Sequence, residues 1–251
     1  MDLGKDIRYH DSIAREYDEV VLVPREAATR GVFAGAIRRL RPHAPFAQLL
    51  DVGCGTGHMV RRMGALAVNI TGVDHSPGML AAARRMADAN GLGRARFEQA
   101  DIETYLAAHP HHADLATAVG VLHHLGEDGL DRVLAALHRS VRTGGWIVLA
   151  EPVADGPMVE PEAITRWNQA SIAAGRGYSA AEEDPDEAPL PPDALRAAIV
   201  RAGFTIVHEQ RHWEIYSHSE KPGLVERLRI RWLQWRHRDT GFIYACLARK
   251  A

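Results

Sequence analysis

The sequence predicts an α/β fold in which helices cover both faces of a mostly parallel sheet of seven strands. Short apolar runs alternate with helical patterns through the middle of the chain, between residues 48 and 151. Strand and helix alternation at this pitch is typical of a parallel sheet. The length of 251 residues fits one large domain, or a domain with a cap.

The elements follow in a regular order. Helical spacing or a terminating glycine marks helices over residues 77–90 (with Gly91 as the C-cap), 130–141 and 193–203. A further helix is expected after the glycine-rich turn, through Arg61 and Met63. The expected strands are 48–53, 68–74, 94–101, 114–120, 146–151, 204–213 and 241–250.

Four regions divide the chain. Residues 1–44 hold two helices and are interpreted as an N-terminal lid, and residues 45–152 form the core. Residues 153–192, rich in proline and acidic residues, are interpreted as a cap that covers the substrate, and residues 193–251 complete the core. Within that last region a basic amphipathic stretch, residues 221–238, is expected to pack as a helix on the sheet edge, with a role at a membrane surface or with an anionic substrate as the alternative. Its apolar side would carry Leu224, Leu228, Trp232 and Trp235.

Composition excludes several classes of protein. Hydrophobic residues make up 46% and charged residues 25%, as in a soluble globular domain. The formal net charge of -2 argues against a nucleic-acid partner. No signal peptide and no apolar run of roughly 18 residues is present, so we expect a cytoplasmic protein without a membrane span. Two distant cysteines predict no disulfide framework.

A glycine-rich turn carries the strongest functional signal. The stretch LLDVGCGTG places Gly53, Gly55 and Gly57 directly after a buried strand and before a helix, which lets the backbone approach a ligand closely. The spacing differs from that of dinucleotide-binding turns. Acidic residues end the successive strands: Asp51, then Asp74, whose carboxylate can accept hydrogen bonds from a ribose diol, then Asp101.

These motifs resemble class I S-adenosylmethionine (SAM)-dependent methyltransferases. LLDVGCGTG is similar to the first motif of that family, ITGVDHSPGML to its ribose-binding strand and helix, and FEQADIE to its adenine-binding turn. DLATAVGVLHHL and VRTGGWIVLAEP resemble the segments around its fourth and fifth strands. The resemblance is close over residues 45–152. It implies a Rossmann-like three-layer sandwich with an antiparallel last strand, and SAM as the cofactor.

The resemblance also implies a role for individual residues. Asp74 would hold the ribose hydroxyls, His75 and Met79 would flank the adenine, and Asp101 and Ile102 would lie at its edge. Cys54 is interpreted as a small packing residue that contacts the cofactor, not as a nucleophile. The full set of predicted cofactor-binding residues is Tyr17, Asp51, Gly53, Cys54, Gly55, Asp74, His75, Met79, Asp101, Ile102 and Val119.

Two adjacent histidines follow the fourth strand, where ligands bind in open α/β sheets. His123 and His124 are candidates for the general base that removes a proton from a hydroxyl acceptor. Glu151, at the end of the next strand in the sheet, could orient one of them. We expect one imidazole in the cavity and one packed in the protein, with His123 the first choice for the cavity. A purely structural pair remains the alternative.

Other residues give weaker signals. His109, His111 and His112 cluster before the fourth strand, at the end of the sheet opposite the cofactor, and we predict no metal site. Trp167 and Tyr178, in the cap, are candidate substrate contacts. Tyr17 in the lid would face the sulfonium or the carboxylate of the cofactor. The oligomeric state stays open, with a homodimer included.

The leading hypothesis is methyl transfer to a hydroxyl of a small molecule such as a sugar or an aromatic natural product. The histidine pair and the large cap favour it. N-methylation of an amine is the second hypothesis, because an amine needs less help from a base. A SAM-binding protein of the same fold without methyl transfer is the third, and an NAD-dependent oxidoreductase the last.

Overall fold

A computed structural model describes residues 23–153, 190–212, 224–236 and 243–251, together with Ile7, Arg8, His10, Asp11, Ala14 and Tyr17. The helices are α1 (Val23–Leu40), α2 (His58–Met63), α3 (Pro77–Ala89), α4 (Ile102–Ala108), α5 (Gly126–Ser140), α6 (Pro192–Arg201) and α7 (Leu224–Arg236). The strands are β1 (Phe46–Val52), β2 (Ala67–Asp74), β3 (Ala95–Gln99), β4 (Ala113–Val119), β5 (Val141–Pro152), β6 (Phe204–His212) and β7 (Ile243–Lys250).

The strands form one seven-stranded sheet in the order β3-β2-β1-β4-β5-β7-β6. Strands β1 to β5 pair in parallel, whereas β7 runs antiparallel to both of its neighbours, β5 and β6. The predicted α/β class and the antiparallel last strand are therefore confirmed. The order reverses between β1 and β4, and an α/β sheet opens a ligand crevice beyond the carboxyl ends of its strands at such a point.

Alternating residues of the strands feed two apolar clusters, one on each face of the sheet. Leu50 of β1 packs with α4, α5 and α6 on one face, and its neighbour Leu49 packs with α1, α2 and α3 on the other. Both faces are thus buried, as a parallel sheet requires. Glu151 is buried at the end of β5, beside Tyr244 of β7.

The segment interpreted as a cap, residues 153–192, begins and ends at one place. Val153 and Leu190 form an isolated parallel bridge, which brings its two ends together beside β5. Residues 154–189, which include Trp167 and Tyr178, lie outside the described residues. The assignment of this segment as a cap, and the domain limits built on it, stay predictions.

The predicted helix in the basic stretch forms as α7, but the prediction that its apolar side packs on the sheet edge is wrong. Leu224, Leu228, Trp232 and Trp235 are all exposed to solvent. Helical periodicity shows that apolar residues share one side of a helix, and it does not show that another element covers that side. Within the described ranges, no helix is long and apolar enough to cross a membrane.

Candidate active site

A cavity opens beyond the carboxyl ends of β1, β2 and β4, where the sheet order reverses. The structure places every residue predicted to bind the cofactor around this cavity: Tyr17, Asp51, Gly53, Cys54, Gly55, Asp74, His75, Met79, Asp101, Ile102 and Val119. Of the three predicted catalytic residues, His124 lines it as well. Residues from four separate motifs and from the N-terminal segment therefore converge on one place in the fold.

The glycine-rich turn forms the floor of the cavity. Gly53 has φ of 63° and lies against Val121, so close that a Cβ on it would come within 2.4 Å of Val121 Cγ2. Gly55 has φ of 50°, and a Cβ there would meet no atom within 4 Å. Gly53 thus allows two loops to touch, whereas Gly55 presents bare backbone to the cavity, where a ligand can approach it closely.

Asp51 is the most deeply buried carboxylate of the cavity wall, with 1% of its surface exposed. Its Oδ1 accepts a hydrogen bond from Thr117 Oγ1 at 2.5 Å, while no residue in the described ranges donates to Oδ2. Burial raises the pKa of Asp51 to about 7, against the lowering effect of the Thr117 hydrogen bond, and Asp74 nearby adds to the rise. A buried carboxylate with an open oxygen is suited to a cationic ligand group.

Asp74 organises the loops on the other side of the cavity. Its Oδ2 accepts a hydrogen bond from the Gly55 amide at 2.8 Å, and its Oδ1 accepts one from the Ser76 amide at 2.9 Å. Each carboxylate oxygen keeps a second lone pair, which a ligand hydroxyl can use. Asp101 caps α4 instead, where its Oδ1 accepts hydrogen bonds from the amide and the hydroxyl of Thr104.

Cys54 packs inside the turn. Its Sγ fills the space beside Gly72, where a Cβ would lie 2.9 Å from the sulfur. Burial raises the pKa of the thiol well above its ordinary value, and the carboxylates of Asp74 and Asp51 raise it further. A thiol held in the neutral form is a poor nucleophile, which supports the interpretation of Cys54 as a packing residue.

Described residues of the N-terminal segment contact the start of α3 and line the cavity. Asp11 Oδ1 accepts hydrogen bonds from Ser76 Oγ at 2.6 Å and from the Gly78 amide at 2.8 Å. A Cβ on Gly78 would lie 3.2 Å from the Asp11 Cα, a tight contact that a glycine avoids. Ala14 is buried, and His10 and Tyr17 line the cavity. The carboxylate at the start of α3 is also favoured by the helix dipole.

The two adjacent histidines occupy different environments. His123 Nδ1 lies 2.7 Å from Glu151 Oε2, and both residues are buried, with His123 7% exposed. Glu151 also accepts hydrogen bonds from the backbone amides of Val121 and His123, at 3.1 and 3.3 Å. His124 lines the cavity, and its ring centroid lies 4.1 Å from that of His123.

The expectation of one packed and one cavity histidine therefore agrees with the structure, but the choice of His123 for the cavity is wrong. The turn Leu122–His124 is a short 3₁₀ helix, and Glu151 holds it through Val121 and His123. That anchoring directs His123 inward and leaves His124 at the cavity. Neither His123 nor Glu151 lines the cavity.

Sequence reasoning missed several residues of the cavity wall, of which the most informative are Thr56, His58 and His10. His10 makes edge-on ring contacts with His75 and His124, with centroids 6.1 and 5.8 Å apart. His58 directly follows Gly57, a position that could have been chosen from the glycine motif. Burial, together with Arg62 and Arg61, lowers the pKa of His58 to about 3, so this imidazole is too weak a base to take a proton from a hydroxyl.

In the histidine cluster before β4, His109 and His112 contact other groups of the protein. His109 Nδ1 lies 2.8 Å from the Tyr105 carbonyl oxygen, and its ring stacks on the Tyr105 ring at 4.1 Å. His112 packs edge-on against His109. Among the residues that the structure describes, no group of three or more His, Cys, Asp or Glu side chains could hold a metal ion.

Comparison with known proteins identifies the class of this domain. Residues 49–145 match the family model of a methyltransferase domain. The chain is 32% identical to the malonyl-[acyl-carrier protein] O-methyltransferase of Pectobacterium atrosepticum over 197 residues, which covers 73% of this chain and 71% of that protein. It is 34% identical to the ubiquinone biosynthesis O-methyltransferase of Thiobacillus denitrificans over 113 residues, 44% of this chain and 47% of the relative. The chain thus spans about half the length of several curated relatives that it matches.

Solved structures share the fold. A structure described as a DhpI-SAH complex superposes with a TM-score of 0.64 at 16% identity, and covers 99% of this chain and 96% of that one. Together the domain match and the long alignment to a named methyltransferase show that this chain belongs to the class I SAM-dependent methyltransferases. The cofactor is S-adenosylmethionine.

The cavity fits that cofactor on three observations of its own. The orphaned Oδ2 of Asp51 would accept a hydrogen bond from the α-ammonium group, and the open space at Gly55 admits a ligand against the backbone. The remaining lone pairs of Asp74 would accept from the ribose hydroxyls. Asp51, Gly55 and Asp74, which the sequence assigned to the cofactor, thus have the geometry that such a ligand needs.

Proposed function

We propose that this chain transfers a methyl group to a hydroxyl of a small molecule, with His124 as the general base. The main support for the proposal is the way three side chains contact one another. His124 lines the cavity, and its ring packs against the ring of His123. Nδ1 of His123 is in turn paired with the fully buried Glu151. The two O-methyltransferases named above support an oxygen acceptor. A natural-product substrate and a cytoplasmic location belong to the same proposal.

The chemistry divides between the cofactor and the chain. When bound, the cofactor supplies a methyl group already activated on a sulfonium centre. The chain's part is to align the acceptor with that group, an effect that can supply roughly 7–11 kcal/mol of the barrier. A neutral hydroxyl must also lose its proton as its oxygen forms the new bond, and a positioned imidazole contributes about 10²–10⁴-fold to such a step.

Glu151 and His123 support the base without touching the reacting atoms. Three donors, the two amides and His123 Nδ1, satisfy the Glu151 carboxylate inside the protein. With Nδ1 of His123 donating, the pair carries one buried negative charge beside His124. That charge would stabilise the imidazolium formed when His124 accepts the proton, through the His123 ring that lies 4.1 Å from it and without a direct hydrogen bond from the carboxylate. We therefore assign positioning roles to His123 and Glu151.

The other imidazoles of the cavity fit the role less well. His58 is held neutral and its Nε2 accepts a hydrogen bond from Arg62 at 2.7 Å, so its available proton affinity is low. His75 follows β2, on the side of the sheet proposed to bind the ribose and adenine. His124 follows β4 and lines the cavity on the side that we propose for the acceptor.

The experiment is an acceptor panel that contains hydroxyl, amine and carboxylate compounds, assayed for S-adenosylhomocysteine release, with mass spectrometry to locate the added methyl group. We expect methylation of a hydroxyl, with kcat reduced about 100-fold or more in His124→Gln and the dissociation constant of the cofactor unchanged within about threefold. His10→Gln is the matched control, because it removes another cavity imidazole. Methylation confined to amines or carboxylates, or equal loss in both variants, would overturn the role of His124.

A further inference from the structure

The helix α7 exposes a continuous apolar stripe to solvent. Trp235 is 74% exposed, Leu224 72%, Val225 81%, Leu228 56% and Trp232 55%. Five large apolar side chains in one 13-residue helix are far more than the scattered single residues that ordinary surfaces carry. Elsewhere in the described residues the exposed large hydrophobic side chains are three valines on other elements, Val68, Val200 and Val207.

The five residues form a single stripe because of their spacing. At about 100° per residue, Leu224, Trp235, Leu228, Trp232 and Val225 fall within an arc of about 100°. Two arginines border this arc, Arg231 on one edge and Arg236 on the other, and both are exposed. An apolar and aromatic centre between cationic edges is the pattern of a helix that lies in a membrane interface.

The charge of the helix separates it from the rest of the chain. Residues 224–236 contain four arginines and one glutamate, a net charge of +3, whereas the whole chain carries -2. The remainder therefore carries -5, and the positive charge is concentrated beside the exposed apolar stripe. A surface that attracts this helix must be negatively charged and must accept apolar side chains.

The length of α7 limits how the helix can lie on such a surface. A helix of 13 residues is about 20 Å long, too short to cross a hydrocarbon core of about 30 Å. It can lie parallel to the surface, with the apolar stripe inserted and the arginines at the level of the headgroups. Tryptophan is the residue that favours this depth, since its ring is apolar and its N–H remains near water.

We propose that α7 is a docking helix for the surface of an anionic lipid bilayer. A second copy of this chain fits less well, because a two-fold pairing through the stripe would bring two helices of net charge +3 together. Like charges across an interface are unfavourable, and charged residues are depleted at the centres of subunit interfaces. The inference is independent of the proposed methyl transfer, because α7 contributes no residue to the cavity.

The test is co-sedimentation of the full chain with vesicles of phosphatidylcholine alone and of phosphatidylcholine mixed with phosphatidylglycerol. We expect binding to the mixed vesicles at least about tenfold tighter than to the neutral ones, and weaker binding at high salt. Fluorescence of Trp232 and Trp235 should shift to the blue on binding and be quenched by brominated lipid. The dissociation constant of S-adenosylhomocysteine, measured by calorimetry, confirms that each variant is folded.

Three variants sharpen the test. W232S/W235S removes the aromatic insertion, and R231E/R236E reverses the charge at the two edges; each should weaken binding to anionic vesicles about tenfold or more. The matched control is V68E, which places a charge on an exposed apolar residue of β2 and should bind vesicles like the wild type. Equal binding to neutral and anionic vesicles, no binding to either, or a dimer that W232S/W235S abolishes would each overturn the proposal.

Discussion

The two halves of the cavity differ in how their polar groups are held. On the cofactor side, beyond β1 to β3, backbone amides hold the Asp74 carboxylate: one amide belongs to Gly55 of the glycine-rich turn after β1, and the other to Ser76, two residues beyond Asp74. On the acceptor side, beyond β4 and β5, the arrangement depends on Glu151 and His123, which are 28 residues apart in the chain. The carboxylate of Asp74 is thus held by backbone amides of two sequence motifs, whereas the acceptor side also depends on a buried pair of side chains.

The largest effect is expected when the Glu151 side chain is removed. Glu151→Ala leaves His123 Nδ1 and two backbone amides without their buried acceptor, so we expect the free energy of unfolding to fall by about 3–5 kcal/mol. Urea denaturation measures it. Asp131→Ala is the control, since it breaks an exposed ion pair with Arg201 and should cost about 0–1 kcal/mol. Similar losses in the two variants would contradict a special role for the buried pair.

The next largest effects are expected from alanine substitutions at two glycines of one turn, Gly53 and Gly55. Gly53→Ala should lower the unfolding free energy by about 3 kcal/mol, because it combines a left-handed backbone with a clash against Val121. Gly55→Ala, which meets no protein atom, should cost about 1 kcal/mol yet weaken cofactor binding about tenfold or more. Denaturation curves and calorimetry with S-adenosylhomocysteine separate the two. If Gly55→Ala binds the cofactor normally, the backbone there does not face the ligand.

A smaller effect is expected at the N-terminal segment. Asp11→Ala removes the acceptor of two hydrogen bonds that dock this segment on α3, and should raise the dissociation constant of S-adenosylhomocysteine about fivefold to tenfold. A faster dissociation rate in stopped-flow measurements should account for the change. Asp88→Ala, an exposed carboxylate at the far end of the same helix, should leave both quantities as they are.

Asp51 should confer a pH dependence that is small near pH 7 and grows as the pH falls. Because burial raises its pKa to about 7, Asp51 is protonated in the folded protein below that pH, and cofactor affinity should fall by up to about tenfold per pH unit below pH 7. The stability of the free protein changes the other way. Asp51 contributes a stability that is complete below its unfolded pKa of 3.8 and is lost as the pH rises to about 7. Calorimetry at several pH values should show that Asp51→Asn lacks both dependences.

The same contrast explains what the sequence could predict. Apart from Tyr17, every residue assigned to the cofactor lies within or beside a motif at the end of a strand, where the periodicity of the chain and the glycine spacing indicate its position. His10 was missed because only tertiary packing brings the N-terminal segment against His75 and His124. The choice between His123 and His124 required knowledge of the contacts of Glu151, which no spacing reveals.

For the helix α7, the sequence predicted the helix but not whether its apolar side is buried. Its periodicity indicated a helix with one apolar side, and the helix is present. Whether such a side is buried depends on whether another element lies against it, which is a property of the whole fold. The structure leaves that side in solvent, and the concentration of arginines around it then gives the exposure a functional interpretation.

The central claim, that His124 takes the acceptor's proton with Glu151 and His123 behind it, is tested most directly by the pH dependence of single-turnover methyl transfer. With a histidine as the base, the wild-type rate should rise with pH to a plateau as the base loses its own proton. His124→Gln should be about 100-fold slower at the plateau and should lack that rise, with cofactor affinity unchanged. A variant that keeps the wild-type rate and the wild-type profile would contradict the account.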